Sequence, residues 1–151
     1  MAGPDLDAVL ALAASSSDAP HWSRSAYQEI LTPSGPMQRV AFVAQSQQAL
    51  GGFAAASWLP QESAAELESL VVDPIYRRQG VGSALLRACM RFAALAGASS
   101  MRLEVRMSNA AAQALYQRHG FAPTGIRRGY YSHPLEDAVL LQAPLGSSGP
   151  L

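Results

Sequence analysis

The chain has 151 residues, 49% of them apolar and 15% charged, with a formal net charge of zero. That size and composition fit one globular core and exclude a disordered or low-complexity chain. The neutral balance also lacks the basic footprint of a dedicated nucleic-acid binder.

In chain order, Asp5 to Ala14 reads as a helix with Leu6, Val9, Leu10 and Ala13 on one face. Ser15 to Pro20 is a polar break. Ser23 is a suitable N-cap for a short helix to Leu31, and Thr32 to Pro36 is a turn. The period then changes. Val40 to Gln45 and Leu50 to Leu59 read as strands joined at Ser46-Gln47-Gln48, and Ala65 to Val72 as a third strand stopped by Asp73-Pro74. Gly82 to Ala96 is the clearest helix. Leu85, Cys89, Phe92 and Ala96 form one apolar row and Leu86, Met90 and Ala93 another, with Arg87 and Arg91 opposite and Gly97 as a left-handed cap. Met101 to Val105 is a strand with Met101, Leu103 and Val105 on one face. Ser108 or Asn109 caps a helix from Ala110 to His119, and Gly120 stops it. Phe121 to Arg127 and Asp137 to Gln142 read as a final strand pair. The order predicts an α/β sandwich around a single sheet, one domain over 1–145 with a loose tail from Gly146 to Leu151.

Residue usage narrows the chemistry. All 11 basic residues are Arg, which excludes Schiff-base catalysis and any phosphate loop built on Lys. Cys89 stands alone, and His21, His119 and His133 are far apart in sequence, so no disulfide framework and no metal site are expected. That usage fits a reducing cytoplasm. No apolar run has the roughly 18 residues of a membrane span, and no basic segment precedes an apolar one at the start as an export signal requires.

One segment carries a ligand signal. Leu70-Val71-Val72-Asp73-Pro74-Ile75-Tyr76-Arg77-Arg78-Gln79-Gly80-Val81-Gly82 runs from a strand into a helix. Two glycines permit close backbone approach, the helix start offers N–H groups and a positive dipole end, and the arginines suit phosphate. A dinucleotide fingerprint needs a third Gly or Ala at position 85, which is Leu85. A nucleoside-triphosphate loop needs Lys. The Gly-x-Ser-x-Gly elbow of esterases is absent from the sequence. Taken alone, the segment also reads as a Gly-rich turn with surface arginines.

Arg77-Arg78-Gln79-Gly80-Val81-Gly82 resembles the pyrophosphate loop of the GNAT superfamily of N-acetyltransferases. Leu103-Glu104-Val105-Arg106-Met107-Ser108-Asn109-Ala110-Ala111-Ala112, followed by Leu115-Tyr116 and Gly120-Phe121, resembles its ribosomal-protein-alanine branch. Ile126-Arg127-Arg128-Gly129-Tyr130-Tyr131, Glu136-Asp137-Ala138 and Pro20-His21-Trp22-Ser23 extend the likeness. The resemblance implies a mostly antiparallel sheet whose parallel pair, Ala65–Val72 and Met101–Val105, splays to admit acetyl-CoA as cosubstrate. It implies that the backbone of Leu70, Val71 and Val72 pairs with the pantetheine arm. One of those N–H groups would polarise the thioester carbonyl. Arg77, Arg78, Gln79, Gly80, Val81, Gly82 and Ser83 would hold the pyrophosphate, with Asn109 reaching the cofactor from the next helix.

By the same resemblance Glu104 is the general base and Tyr116 the general acid for attack by an amine. Taken alone, Glu104 reads as a solvated ion-pairing residue and Tyr116 as a helix residue packed on the sheet. Glu66 and Glu68 compete for the base role. Trp22, Glu68, Tyr130 and Tyr131 are candidates for the acceptor groove, and ordinary loop packing is the alternative for the aromatic three. The implied acceptor is a protein N-terminus, such as the N-terminal alanine of a small-subunit ribosomal protein. A small-molecule amine is the second reading, and an acyl-CoA-binding module without turnover the third. The chain departs from the family pattern at Ser69 and Gly129, where that branch usually carries Asn. Only Met1 to Pro4 precede the first helix, so the opening strand is expected to be truncated.

Overall fold

In the computed structural model, which describes residues 1, 5–15, 22–31, 35–46 and 49–146, two helices precede three strands, and a strand between two helices precedes the final strand pair. The helices are α1 (Leu6–Ser15), α2 (Arg24–Leu31), α3 (Val81–Ala96) and α4 (Ala110–Arg118). The strands are β1 (Gln38–Ser46), β2 (Ala49–Trp58), β3 (Ala64–Val72), β4 (Ser100–Arg106), β5 (Ala122–Ser132) and β6 (Leu135–Pro144). The polar break at 16–20, His21, the turn at 32–34, Gln47 and Gln48 and the tail at 147–151 lie outside the described residues. Among the described residues no helix is long and apolar enough to cross a membrane.

The six strands form one sheet in the order β1-β2-β3-β4-β6-β5. Every neighbouring pair is antiparallel except β3 and β4. The apolar rows of α3 bury Leu85, Leu86, Cys89 and Ala93 on one face of the sheet, against Ala54, Ala56, Met101, Leu103 and Val105. The other face receives Leu6 and Val9 of α1 and Tyr27 and Ile30 of α2, against Phe53, Ala55 and Val71. Each large apolar side chain so covered contributes about 1.5–3 kcal/mol.

Two irregularities shape the sheet's centre. Strands β3 and β4 pair only at Ala64–Ser100, Ala65–Met101 and Glu66–Arg102. Beyond that point β4 keeps its pairing with β6 up to Arg106–Ala138, while the β3 edge facing β4 has no strand partner among the described residues from Leu67 onward. Within β3, Leu67 opposes Ala56 and Ser69 opposes Ala55, so Glu68 is the extra residue of a bulge. A one-residue bulge exchanges the faces of every side chain after it. Ala65 and Leu67 accordingly join the α3 core, whereas Val71 joins the core under α1 and α2.

The expected ends shift in three places. α3 starts at Val81 because Gly80, at φ +80°, is its N-cap. Asn109 rather than Ser108 caps α4, its Oδ1 accepting the Ala112 N–H at 3.1 Å. The last two strands run well past Arg127 and start before Asp137. A bulge between Arg127 and Tyr131 carries β5 through the polar Arg128-Gly129 step. Gly129 sits there at φ +61° and gives its N–H to Asp137 Oδ1 at 2.8 Å. The splayed parallel pair stands as expected. Among the described residues no strand precedes α1, and the Met1 ammonium donates to Ala41 O of the edge strand β1 at 2.9 Å.

Candidate active site

The splay opens a cleft of about 750 Å³. From the β3 side come Glu66, Glu68, Ser69 and Leu70, and from β4 Glu104 and Arg106. Asn109 and Tyr116 of α4, Trp22 ahead of α2, and Tyr130 and Tyr131 of β5 close it. Nine of the candidate site residues singled out from sequence therefore meet in one cavity: Glu104, Tyr116, Leu70, Asn109, Trp22, Glu66, Glu68, Tyr130 and Tyr131. Tyr116 is only 7% exposed and packs edge-on against Phe121 with ring centroids 5.7 Å apart. Asn109 has its Oδ1 committed to the α4 cap, so any donation to a ligand would come from its amide nitrogen.

Arg77 to Ser83 do not line that cleft. They form the foot of α3, where a helix leaves the N–H groups of Val81, Gly82 and Ser83 without an intrahelical acceptor. The Ala84 N–H is the first to turn inward, onto Gly80 O at 3.0 Å. The side chains here are tied locally. Arg77 Nε donates to Val72 O at 3.4 Å and Gln79 Nε2 to Ile75 O at 3.1 Å. Ser83 Oγ lies 3.1 Å from His119 Nε2. Burial pushes the His119 pKa down, and Arg87 and Arg118 push it further. A Cβ on Gly82 would stand 3.2 Å from Leu115 Cδ2, whereas one on Gly80 would meet nothing within 4 Å. The helix foot is thus packed against α4 on one side and open above Gly80, with two exposed arginines beside it. That arrangement fits a diphosphate. Val71 turns its side chain into the α1/α2 core, which leaves only its main chain for a ligand.

The cleft is acidic. Glu104 accepts from Arg127 Nη1 at 2.9 Å and from the Tyr130 hydroxyl. Burial raises the Tyr130 pKa, and the hydrogen bond to Glu104 raises it further. The Arg127 guanidinium also lies over the Tyr130 ring, 5.2 Å from its centroid. Burial likewise raises the Glu66 carboxyl; Arg102 opposes the shift, and the carboxylates of Glu104, Glu68 and Glu62 add to it. Arg39 lies 3.5 Å from Glu68 and 3.6 Å from Glu29. Four carboxyl groups, Glu29, Glu66, Glu68 and Glu104, therefore face a cavity that holds Arg39 and Arg106, an environment suited to an ammonium group.

Sequence reasoning missed Arg106. Its Nη1 donates to Pro134 O at 3.1 Å and lies 3.3 Å from Glu136 Oε1, its Nη2 donates to His133 O at 3.2 Å, and its guanidinium stacks 4.2 Å over the Tyr131 ring. With 11% side-chain exposure it pins the β5–β6 turn beside the cleft. Glu136 completes the clamp by accepting the Ser108 N–H at 2.6 Å. Hydrogen bonds from Ser108 hold the Glu136 carboxyl below its ordinary 4.5, Arg106 helps, and burial opposes. A depressed carboxyl stabilises the clamp above the unfolded pKa and loses that contribution as pH falls through the lowered folded value. The Ser108 amide proton, followed by NMR, should therefore titrate with a midpoint below 4.5; a midpoint at or above it contradicts the clamp.

A splayed parallel pair, a glycine-footed helix start and a carboxylate-lined cleft lie together at the centre of the fold. A sequence model of the acetyltransferase (GNAT) family matches residues 8–121, and the chain belongs to that family. A Bacillus subtilis (strain 168) protein provisionally named as a ribosomal protein bS18-alanine N-acetyltransferase is 33% identical over 137 residues, 91% of this chain and 87% of that one. The Escherichia coli (strain K12) ribosomal protein bS18-alanine N-acetyltransferase is 45% identical over 83 residues, 54% of this chain and 56% of the relative. The crystal structure of the Escherichia coli ribosomal-protein-S18-alanine N-acetyltransferase superposes with a TM-score of 0.80 at 32% identity. That match covers 97% of this chain and 92% of the other. Among the described residues no group of three or more His, Cys, Asp or Glu side chains is placed to hold a metal ion.

Proposed function

We propose that residues 1–145 form one catalytic domain that transfers acetyl from acetyl-CoA to a protein N-terminal α-amine. The acceptor is an alanine-initiated small-subunit ribosomal protein. The observation that carries this reading is the β3 edge left without a strand partner from Leu67, running past an acidic cleft that also holds Glu104 and Tyr116. The names of the relatives support this acceptor class, and a ribosomal-protein acceptor goes with a cytoplasmic activity.

Acetyl-CoA, when bound, supplies an activated acetyl thioester. The main chain of Leu70, Val71 and Val72 would take its arm, Arg77 to Ser83 would take its diphosphate, and Asn109 would reach it from α4. Glu104 removes the proton of the acceptor ammonium, directly or through water, and Tyr116 Oη returns one to the thiolate side. A peptide α-amine, with a pKa of roughly 7.7–8.0 against about 10.4 for Lys, asks only for a mild base. Trp22, Glu68, Tyr130 and Tyr131 wall the acceptor side.

The test is intact mass after incubation with acetyl-CoA and alanine-initiated ribosomal-protein peptides, beside a panel of polyamines and amino sugars. One acetyl group on the peptide α-amine is expected. Turnover confined to the panel removes the protein acceptor, and tight acetyl-CoA binding without any turnover leaves a binding module.

A further inference from the structure

We infer that the Ser69 hydroxyl donates a hydrogen bond to the first main-chain carbonyl of the acceptor, and so separates peptide amines from simple amines. This rests on reading the cleft as the acceptor site. Ser69 is 5% exposed and lines the cleft, yet its buried Oγ has no hydrogen-bond partner among the described residues. Buried polar groups are nearly always paired, and an exception calls for a reason. Among the described residues two other buried side-chain atoms share the condition, and neither offers the same opportunity. Tyr27 does not line the cleft, and Arg39 Nε lies 3.5 Å from the Glu68 carboxylate.

The bulge explains how the hydroxyl comes to be there. Without the extra residue at Glu68, Ser69 would share a face with Leu67 and enter the α3 core. With it, Ser69 stands on the α2 side, next to Ala55 of β2, which in turn opposes Ala41 of β1. A third alanine would complete that row of small residues and leave no orphan. Bulges re-aim side chains beside active sites, and this one aims a donor.

The chemistry of the cleft says what the donor is for. Ionised carboxylates only accept hydrogen bonds, so Glu68 and Glu104 serve an ammonium and cannot serve a carbonyl. In an N-terminal residue the carbonyl lies one carbon away from the amine-bearing Cα. A group that holds the ammonium on carboxylates therefore brings the carbonyl oxygen alongside, where Ser69 Oγ–H can donate.

Alaninamide and isopropylamine test this, since they differ by an amide in place of a methyl. The KM of alaninamide and the inhibition constant of isopropylamine against an alanine-initiated peptide are measured for the wild type, Ser69→Ala and Ser69→Cys. Ser69→Ala should raise the alaninamide KM about two- to tenfold, the worth of one hydrogen bond. The isopropylamine constant and the acetyl-CoA KM should hold, and Tm should hold or rise because the orphan is gone. Ser69→Cys, a weaker donor of similar shape, should fall between. Equal effects on both amines, or an unchanged alaninamide KM, overturn the inference alone. A wild type that acetylates neither alaninamide nor the peptide overturns the proposed function, and this inference with it.

Discussion

Replacing Glu104 by Gln should lower kcat for an alanine-initiated peptide by about 10²–10⁴-fold, the range for losing a positioned general base, while acetyl-CoA affinity is retained. The amide keeps the volume and cannot take a proton. It also presents an NH₂ where Arg127 Nη1 and the Tyr130 hydroxyl now donate to a carboxylate. The matched control is Glu66→Gln. Glu66 faces the same cleft, and burial raises its pKa above the ordinary carboxylate value, so it is the rival candidate for the base. Steady-state rates for both variants decide. A Glu104→Gln enzyme within tenfold of wild type, beside a collapsed Glu66→Gln, transfers the base to β3.

How the two carboxylates came to share a cavity shows what a linear reading can and cannot reach. The rows of α3 and its C-cap at Gly97 were legible because helical neighbours lie within four residues of one another, whereas its N-cap at Gly80 was not, the helix being expected to start at Gly82. Strands β3 and β4 were legible too, since each is bounded by turn residues and β4 alternates cleanly, but their parallel pairing came from the family resemblance alone. The face switch at Glu68 was not, because a bulge is defined by the partner strand, and nothing in Leu67-Glu68-Ser69-Leu70 alone says which residue β2 leaves out. The same holds for the Arg127–Glu104 pair. The sequence places Glu104 between Arg102 and Arg106, yet the cation that meets it comes from β5, 23 positions away. β6 lies between β4 and β5 in the sheet, so that contact depends on topology. The extent of β5 was misjudged for a local reason. Arg128-Gly129 has the composition of a turn, and the left-handed Gly129 is instead used inside a bulge that brings Tyr130 to the cleft.

Gly52→Val should cost roughly 3 kcal/mol or more, at the upper end of overpacking penalties, and lower Tm by about 6–12 °C in a domain of this size. A Cβ at Gly52 would lie 2.7 Å from Val71 O, 3.1 Å from Leu85 Cδ1 and 3.4 Å from Val72 Cα. The nearest atom is main chain, so relief requires β3 to move rather than a side chain to turn. Gly52 opposes Val72 across the β2–β3 ladder, and the next main-chain link, Asp73 N–H to Gly51 O at 2.8 Å, anchors the turn that leads to the foot of α3. Displacement there reaches both the β3 edge and the helix start at once. Thermal unfolding measures the first consequence. At temperatures where the variant is still folded, a raised acetyl-CoA KM with an unchanged peptide KM measures the second. If Tm falls while both constants stay at wild-type values, Leu70 to Val72 do not hold the acyl donor. The β3 edge then loses its place in the mechanism, and Glu104 and Tyr116 keep theirs.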